Sequence, residues 1–177
     1  MANILVVDDE LGIRDLLSEI LFDEGHQVEL AMNAAQARSI RASMQPDLVL
    51  LDIWMPDTDG VSLLKEWSST GLLTMPVIMM SGHATVETAV EATKIGAYSF
   101  LEKPITLPKL LKAVEQGLNK SLSSRVAQVR NTIKAELSLE AAMTATSQQN
   151  SMAQANNLQN VAAAPASNAY ASFDFEK

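Results

Sequence analysis

Two adjacent acids, Asp8 and Asp9, follow an aliphatic run (Ile4, Leu5, Val6, Val7), and a second run, Leu48 to Leu51, ends in Asp52. Fully buried parallel strands read as continuous aliphatic runs, and ligands gather beyond their carboxyl ends, so both runs deliver carboxylates to one rim. Like charges crowded there disfavour each other's ionised forms, and a divalent cation relieves the repulsion. Mg²⁺ suits the set best, because it takes few carboxylates and completes an octahedron with waters and a phosphate oxygen; Ca²⁺ wants more oxygen ligands than the sequence offers. Ser81 ends a third run, Val77 to Met80, and Lys103 follows a fourth. A hydroxyl and an ammonium placed there could bond and neutralise a phosphoryl group. The chemistry this suggests is acceptance of a phosphoryl group on an aspartate.

Each residue also has a plainer reading. Asp8 or Asp9 could favour the positive start of the next helix, Ser81 before Gly82 could be a turn residue, and Lys103 could be solvated. The set points to chemistry: five polar residues gather at the carboxyl ends of four expected strands, where scattered surface residues have no reason to align.

The elements that must position them alternate. The first strand is Ile4 to Val7, followed by a helix with Ile13, Leu16, Leu17, Ile20 and Leu21 at three-and-four spacing, ending at Gly25 as a left-handed cap. Further strands are expected at Gln27 to Ala31, Leu48 to Leu51, Val77 to Met80 and Tyr98 to Leu101. Helices lie between them: one capped by Asn33, one near Val61 to Trp67, one over Thr85 to Ile95, and a fifth after Pro108. Strict βα alternation with right-handed crossovers implies a doubly wound α/β fold, a five-stranded parallel sheet with five helices, over residues 1–118.

Past Leu118, apolar residues recur at four, four, three, four and four (Leu118, Leu122, Val126, Val129, Ile133, Leu137), which predicts an amphipathic helical extension over 119–140. No charged residue then appears until Asp174. Residues 141–177, rich in Ala, Asn, Gln and Ser, are expected to be disordered, because so little bulky apolar content offsets little ordering entropy.

Charge is uneven. Residues 1–118 hold eight Lys/Arg and 17 Asp/Glu, a net of −9, leaving +1 for the rest to reach the total of −8. Clustered cations for nucleic-acid phosphates are missing from that acidic part, so direct nucleic-acid binding is not expected. With no Cys there is neither disulfide nor thiolate chemistry. No signal-peptide pattern and no apolar run of about 18 residues is visible, so no membrane association and a cytoplasmic location are expected.

Four segments carry a resemblance: Ile4-Leu-Val-Val-Asp-Asp-Glu10, Leu50-Leu-Asp-Ile-Trp-Met-Pro56 with Asp59-Gly60, Val77-Ile-Met-Met-Ser-Gly-His83, and Gly96-Ala-Tyr-Ser-Phe-Leu-Glu-Lys-Pro104. Together they resemble the receiver domain of two-component response regulators over residues 2 to 118, most closely receivers of the NtrC/NtrX type. The resemblance implies a flavodoxin-like sheet of order 2-1-3-4-5 and phosphorylation of Asp52 by a sensor histidine kinase or phosphotransfer protein. It further implies Mg²⁺ held by Asp8, Asp9, Asp52 and the backbone carbonyl of Trp54, charge neutralisation by Lys103, and a switch in which Ser81 and Phe100 move. A cis bond between Lys103 and Pro104 is part of the same pattern.

Departures are informative. Ser81 stands where receivers often have Thr, and Phe100 where Tyr is commoner, so Phe100 has no hydroxyl to donate outward; its plainer reading is a core aromatic. Trp54 and His83 flank the expected pocket mouth, His83 as a turn residue and Trp54 as a bulk that could slow water attack on a phosphorylated Asp52. The chain shows no Gly-rich Lys-Ser/Thr phosphate loop and lacks the length for the ATPase and DNA-binding domains usual in NtrC-type regulators. An output-less, stand-alone regulator is therefore expected, one that signals to a downstream protein partner. Helix 4, strand 5 and helix 5 with its extension could make a homodimer. Alternatives are a phosphorelay intermediate, a tail that is itself the interaction output, and a haloacid-dehalogenase-like phosphatase. The last wants its nucleophile in an Asp-x-Asp on the first strand, whereas here the two acids are adjacent and the lone Asp52 is on the third.

Overall fold

A computed structural model describes residues 1–161; residues 162–177 of the low-complexity tail lie outside the described residues. Five strands, β1 (Asn3–Val7), β2 (Gln27–Ala31), β3 (Leu48–Asp52), β4 (Val77–Ser81) and β5 (Ser99–Glu102), alternate with α1 (Leu11–Asp23), α2 (Ala34–Ser43), α3 (Gly60–Ser69), α4 (Val86–Ile95) and α5 (Leu107–Val161). The strands form one parallel sheet in the order β2-β1-β3-β4-β5. The expected doubly wound, flavodoxin-like fold is the one observed.

Its core follows from the period-two geometry of strands, which sends alternate side chains to opposite faces. Ile4, Val6, Leu48, Leu50, Ile78 and Met80 face α1 and α5, meeting Leu17, Leu21, Leu110 and Val114. Leu5, Val7, Val49, Leu51, Val77 and Met79 face α2, α3 and α4, meeting Ala34, Leu63, Leu64, Trp67 and Ala92. Both faces being covered explains why β3 and β4 are buried at all five positions and read as aliphatic runs without alternation.

Several local expectations are met by identifiable contacts. Asn33 caps α2 by accepting from the Gln36 N–H at 2.9 Å, and Gly25 adopts φ +83°. Tyr98 does not begin the last strand; it precedes β5, its N–H bonds the Val77 carbonyl, and its ring packs among the α1/α5-side core with Lys120 Nζ 5.0 Å from its centroid.

Two compact units are distinguished, Met1–Ala127 and Gln128–Lys177. The first runs beyond 118 because Leu118 packs on the core and Arg125 Nη1 bonds Asp47 Oδ1 at 2.6 Å. In the second, α5 continues to Val161, so residues 141–161 are helical where disorder was expected. The physical reason is that no Gly or Pro occurs between Gly117 and Pro165, while Ala, the best helix former, is abundant. Among the described residues, no helix is long and apolar enough to cross a membrane.

Candidate functional site

Register builds the rim. Val7 pairs with Leu51 across β1 and β3, so Asp8 and Asp52 reach the same level on neighbouring strands; Asp52 in turn pairs with Met80, and Ser81 with Glu102. Asp8, Asp9 and Asp52 each place a carboxylate oxygen within 4.8 Å of the others'. Asp8 is fully buried and Asp52 nearly so, whereas Asp9 is exposed.

Lys103, the residue after β5, reaches into this cluster. Its Nζ lies 2.8 Å from Asp8 Oδ2, 3.4 Å from Glu10 Oε1 and 3.5 Å from Asp52 Oδ1. Burial works against the ammonium, but the hydrogen bond to Asp8 and the charges of Asp52, Asp8 and Glu10 outweigh it, so the pKa of Lys103 rises. One cation does not balance the acids. Burial first, and the charge of Asp8 second, push the Asp52 carboxyl up from 3.8 to about 6 despite Lys103. The peptide bond from Lys103 to Pro104 is cis.

Ser81 is fully buried at the end of β4, its Oγ accepting the His83 N–H at 3.2 Å, and its carbonyl accepting the Lys103 N–H at 2.8 Å. Phe100, in register with Met79, is half-buried against the core on the α2–α4 side. Trp54 is 59% exposed, two residues beyond Asp52, and His83 is exposed. The structure thus brings Asp8, Asp9, Asp52 and Lys103 together directly, with Ser81 one strand away. His26 is elsewhere, at the start of β2, with an unpartnered, buried Nδ1; burial lowers its pKa.

Three residues matter that sequence reasoning did not assign. Gly60 donates its N–H to the Ile53 carbonyl at 2.8 Å, and a Cβ added there would lie 2.1 Å from the Asp52 carbonyl oxygen, so only glycine lets α3 start against Asp52. Asp57, in the loop after β3, accepts from the Ala34 and Ala35 N–H groups at 3.2 and 3.0 Å, tying that loop to the start of α2. Buried Arg14 donates from Nη1 to the Asp8 carbonyl. The signals available were a glycine one residue after a cap, an acid with no cation in its own loop, and a cation near a helix start.

Residues 4–115 match the response regulator receiver domain family. The chain belongs to that family. A putative NtrX-like response regulator of Rickettsia bellii is 43% identical over 113 residues, 63% of this chain and 23% of that protein. The sporulation initiation phosphotransferase F of Bacillus subtilis is 36% identical over 116 residues, 66% of this chain and 93% of that protein. Among solved structures, NtrX from Brucella abortus in complex with ADP superposes with TM-score 0.67 at 43% identity, covering 72% of this chain and 29% of that one. A CheY-like receiver domain protein from Methanospirillum hungatei superposes at 0.66 and 31% identity, covering 70% and 98%. This receiver chain therefore spans about a quarter of its NtrX-type relatives. Receiver domains are phosphorylation-based signalling modules rather than classical enzymes, and they bind Mg²⁺ at an acidic pocket. The donor set of Asp8, Asp9 and Asp52, all hard oxygens, fits that ion. The family assignment replaces the phosphatase alternative.

Proposed function

We propose that this chain is a phosphorylation-dependent switch in which Asp52 accepts a phosphoryl group from a phosphohistidine on a sensor kinase or phosphotransfer protein. The observation that carries it is Lys103 Nζ standing between Asp8 and Asp52 at the mouth of a three-carboxylate cluster. An Asp52 oxygen attacks phosphorus in line with the histidine nitrogen; the P–N bond breaks, and its electron pair returns to the imidazole, which takes up a proton. Asp8, Asp9, Asp52 and the Trp54 carbonyl would hold Mg²⁺, whose chemistry when bound would be to supply positive charge to the phosphoryl oxygens. Lys103 neutralises part of the same charge from the β5 side, and positioning plus electrostatics is all this reaction needs. Hydrolysis reverses the state: water attacks phosphorus, the acyl P–O bond breaks, and inorganic phosphate leaves Asp52 as a carboxylate.

Ser81 supplies the readout. Its Oγ, now engaged by the His83 N–H, turns to a phosphoryl oxygen, and Phe100 follows into the space behind it. The message leaves through a protein surface made of α4, β5 and the start of α5. Support for this comes from α4, where Ala92 is the one fully buried side chain while Val86 is 77% and Val90 45% exposed, and from the start of α5, where Leu107 is 51% exposed. Such apolar exposure fits a downstream protein partner or a homodimer through that face. Within the second unit, Val129, Ile133 and Leu137 are each half-exposed or more, which favours a second reading with this helix as an interaction output.

Incubation with acetyl phosphate and Mg²⁺ tests the switch. Intact mass should rise by one phosphoryl group in the native chain and not in Asp52→Ala; no gain, or a gain that survives the substitution, ends the proposal. Removing residues 128–177 tests the output reading, which requires loss of partner binding.

A further inference from the structure

Arg14 breaks two rules at once. It is the fourth residue of α1, where a cation meets the positive end of the helix dipole, and it is 8% exposed, although a buried guanidinium ordinarily needs a carboxylate. Among the described residues it has no ion pair, and its one side-chain hydrogen bond runs from Nη1 to the Asp8 carbonyl at 2.5 Å. The other buried arginine, Arg41, breaks neither as badly: it lies in the last turn of α2, where a cation is favoured, and makes three bonds to Leu72 and Thr74. A local cost without a local gain is found where function demands it.

What Arg14 holds is the peptide that joins the two adjacent acids. The Asp8 N–H is fixed on the Ala31 carbonyl at 3.1 Å, and the Asp8 carbonyl on Arg14, so both sides of that residue are pinned. The Asp8 carboxylate is separately anchored, Oδ1 by the Glu10 N–H at 2.9 Å and Oδ2 by Lys103. Asp9 has no such anchor: its carboxylate is exposed and accepts no side-chain hydrogen bond among the described residues. Its aim toward Asp8 and Asp52 depends on the direction in which the backbone leaves Asp8. The cap of α1, Glu10, makes no side-chain capping bond to that helix; its carboxylate instead accepts a long 3.4 Å bond from Lys103, which does not hold the Asp8–Asp9 peptide.

We infer that Arg14 is a positioning residue for the divalent-cation site. By holding the Asp8 carbonyl it orients the Asp8–Asp9 peptide, keeps the Asp9 carboxylate at the cluster, and reserves ligation for side chains by occupying the one carbonyl between them. This rests on the reading of Asp8, Asp9 and Asp52 as the Mg²⁺ ligands. Groups that orient metal ligands from behind commonly contribute about 10- to 100-fold in metal affinity.

The test is Mg²⁺ titration followed by tryptophan fluorescence, to which Trp54, exposed two residues from Asp52, and the buried Trp67 both contribute. Thermal midpoints are measured on the same metal-free samples. Arg14→Met keeps the apolar stem and removes the donors; Arg14→Lys keeps a cationic donor. The expected result is a Mg²⁺ dissociation constant about tenfold or more weaker in Arg14→Met, with substantial recovery in Arg14→Lys. Native affinity in Arg14→Met overturns the inference, whatever its midpoint. Equal weakening in both variants, in proportion to equal loss of midpoint, also overturns it, by showing packing alone. A native chain that shows no saturable response to Mg²⁺ removes the cation site itself, a failure distinguishable from the other two.

Discussion

The two ends of the parallel sheet are built on opposite charge balances. At the amino end, Asp47 meets one cation, Arg125, and one backbone donor, the Asn3 N–H, so a single acid is matched by a single base. At the carboxyl end, Asp8, Asp52 and Glu10 share Lys103 with Asp9 alongside them in the cluster, and Asp52 is held protonated to a higher pH than an ordinary carboxylate. The first arrangement ties α5 to the sheet and asks for nothing more. The second costs stability, and a domain keeps such a cost where the missing positive charge arrives with a ligand.

The sharpest way to break this contrast is to remove the cation at each end. Lys103→Ala should slow phosphorylation from a small phosphodonor by about 100-fold, the usual effect of deleting one preorganised charge at a transition state. Arg125→Ala should leave that rate unchanged. Equal rates in the two variants, read by intact mass against time, would erase the distinction between the ends.

Next in size is Gly60→Ala. With an added Cβ aimed at the Asp52 carbonyl oxygen at 2.1 Å, the start of α3 must shift, which should cost about 3 kcal/mol or more in urea unfolding. A smaller loss would mean that the Asp52 backbone is less constrained than its packing shows.

Asp52→Asn should act in the other direction. The folded-state pKa of Asp52 is raised from 3.8 to about 6, so the folded state favours the protonated carboxyl. Its contribution is intact below about pH 4 and is lost as pH rises through about 6. Above that, in metal-free protein, the charged carboxylate costs on the order of 1–3 kcal/mol. Asp52→Asn should therefore raise the metal-free melting temperature at pH 7.5 and barely change it at pH 4, with the difference shrinking when Mg²⁺ is added to the native chain. A variant less stable than the native protein at pH 7.5 would contradict the charge balance. The smallest effect belongs to the amino end: Arg125→Ala, breaking a largely exposed pair, should cost at most about 1 kcal/mol in the same unfolding measurement.

What the sequence displayed was decided by whether a role belongs to a side chain at a strand end or to a backbone atom. Aliphatic runs marked β1, β3 and β4 because both faces of those strands are covered, and Asp8, Asp52, Ser81 and Lys103 stood out because they end or follow such runs. Gly60, Arg14 and Asp57 were not legible, since each acts on a main-chain group that spacing does not show: the Asp52 carbonyl, the Asp8 carbonyl and the N–H groups opening α2. Residues 141–161 differ from the expectation for another reason. Their composition cannot support a core, but helix needs none so long as neither Gly nor Pro intervenes, and every described side chain from Leu122 to Thr146 is exposed in just such a helix.

On the function proposed above, the unbalanced end of the sheet carries a phosphoryl group on one particular acid. An acyl phosphate is reduced by borohydride to the alcohol, so treating the phosphodonor-labelled chain with borohydride and sequencing its peptides by mass spectrometry marks the acceptor directly. Homoserine is expected at position 52 and at no other acid. Conversion at position 8 or 9, or at none of the three, would contradict it.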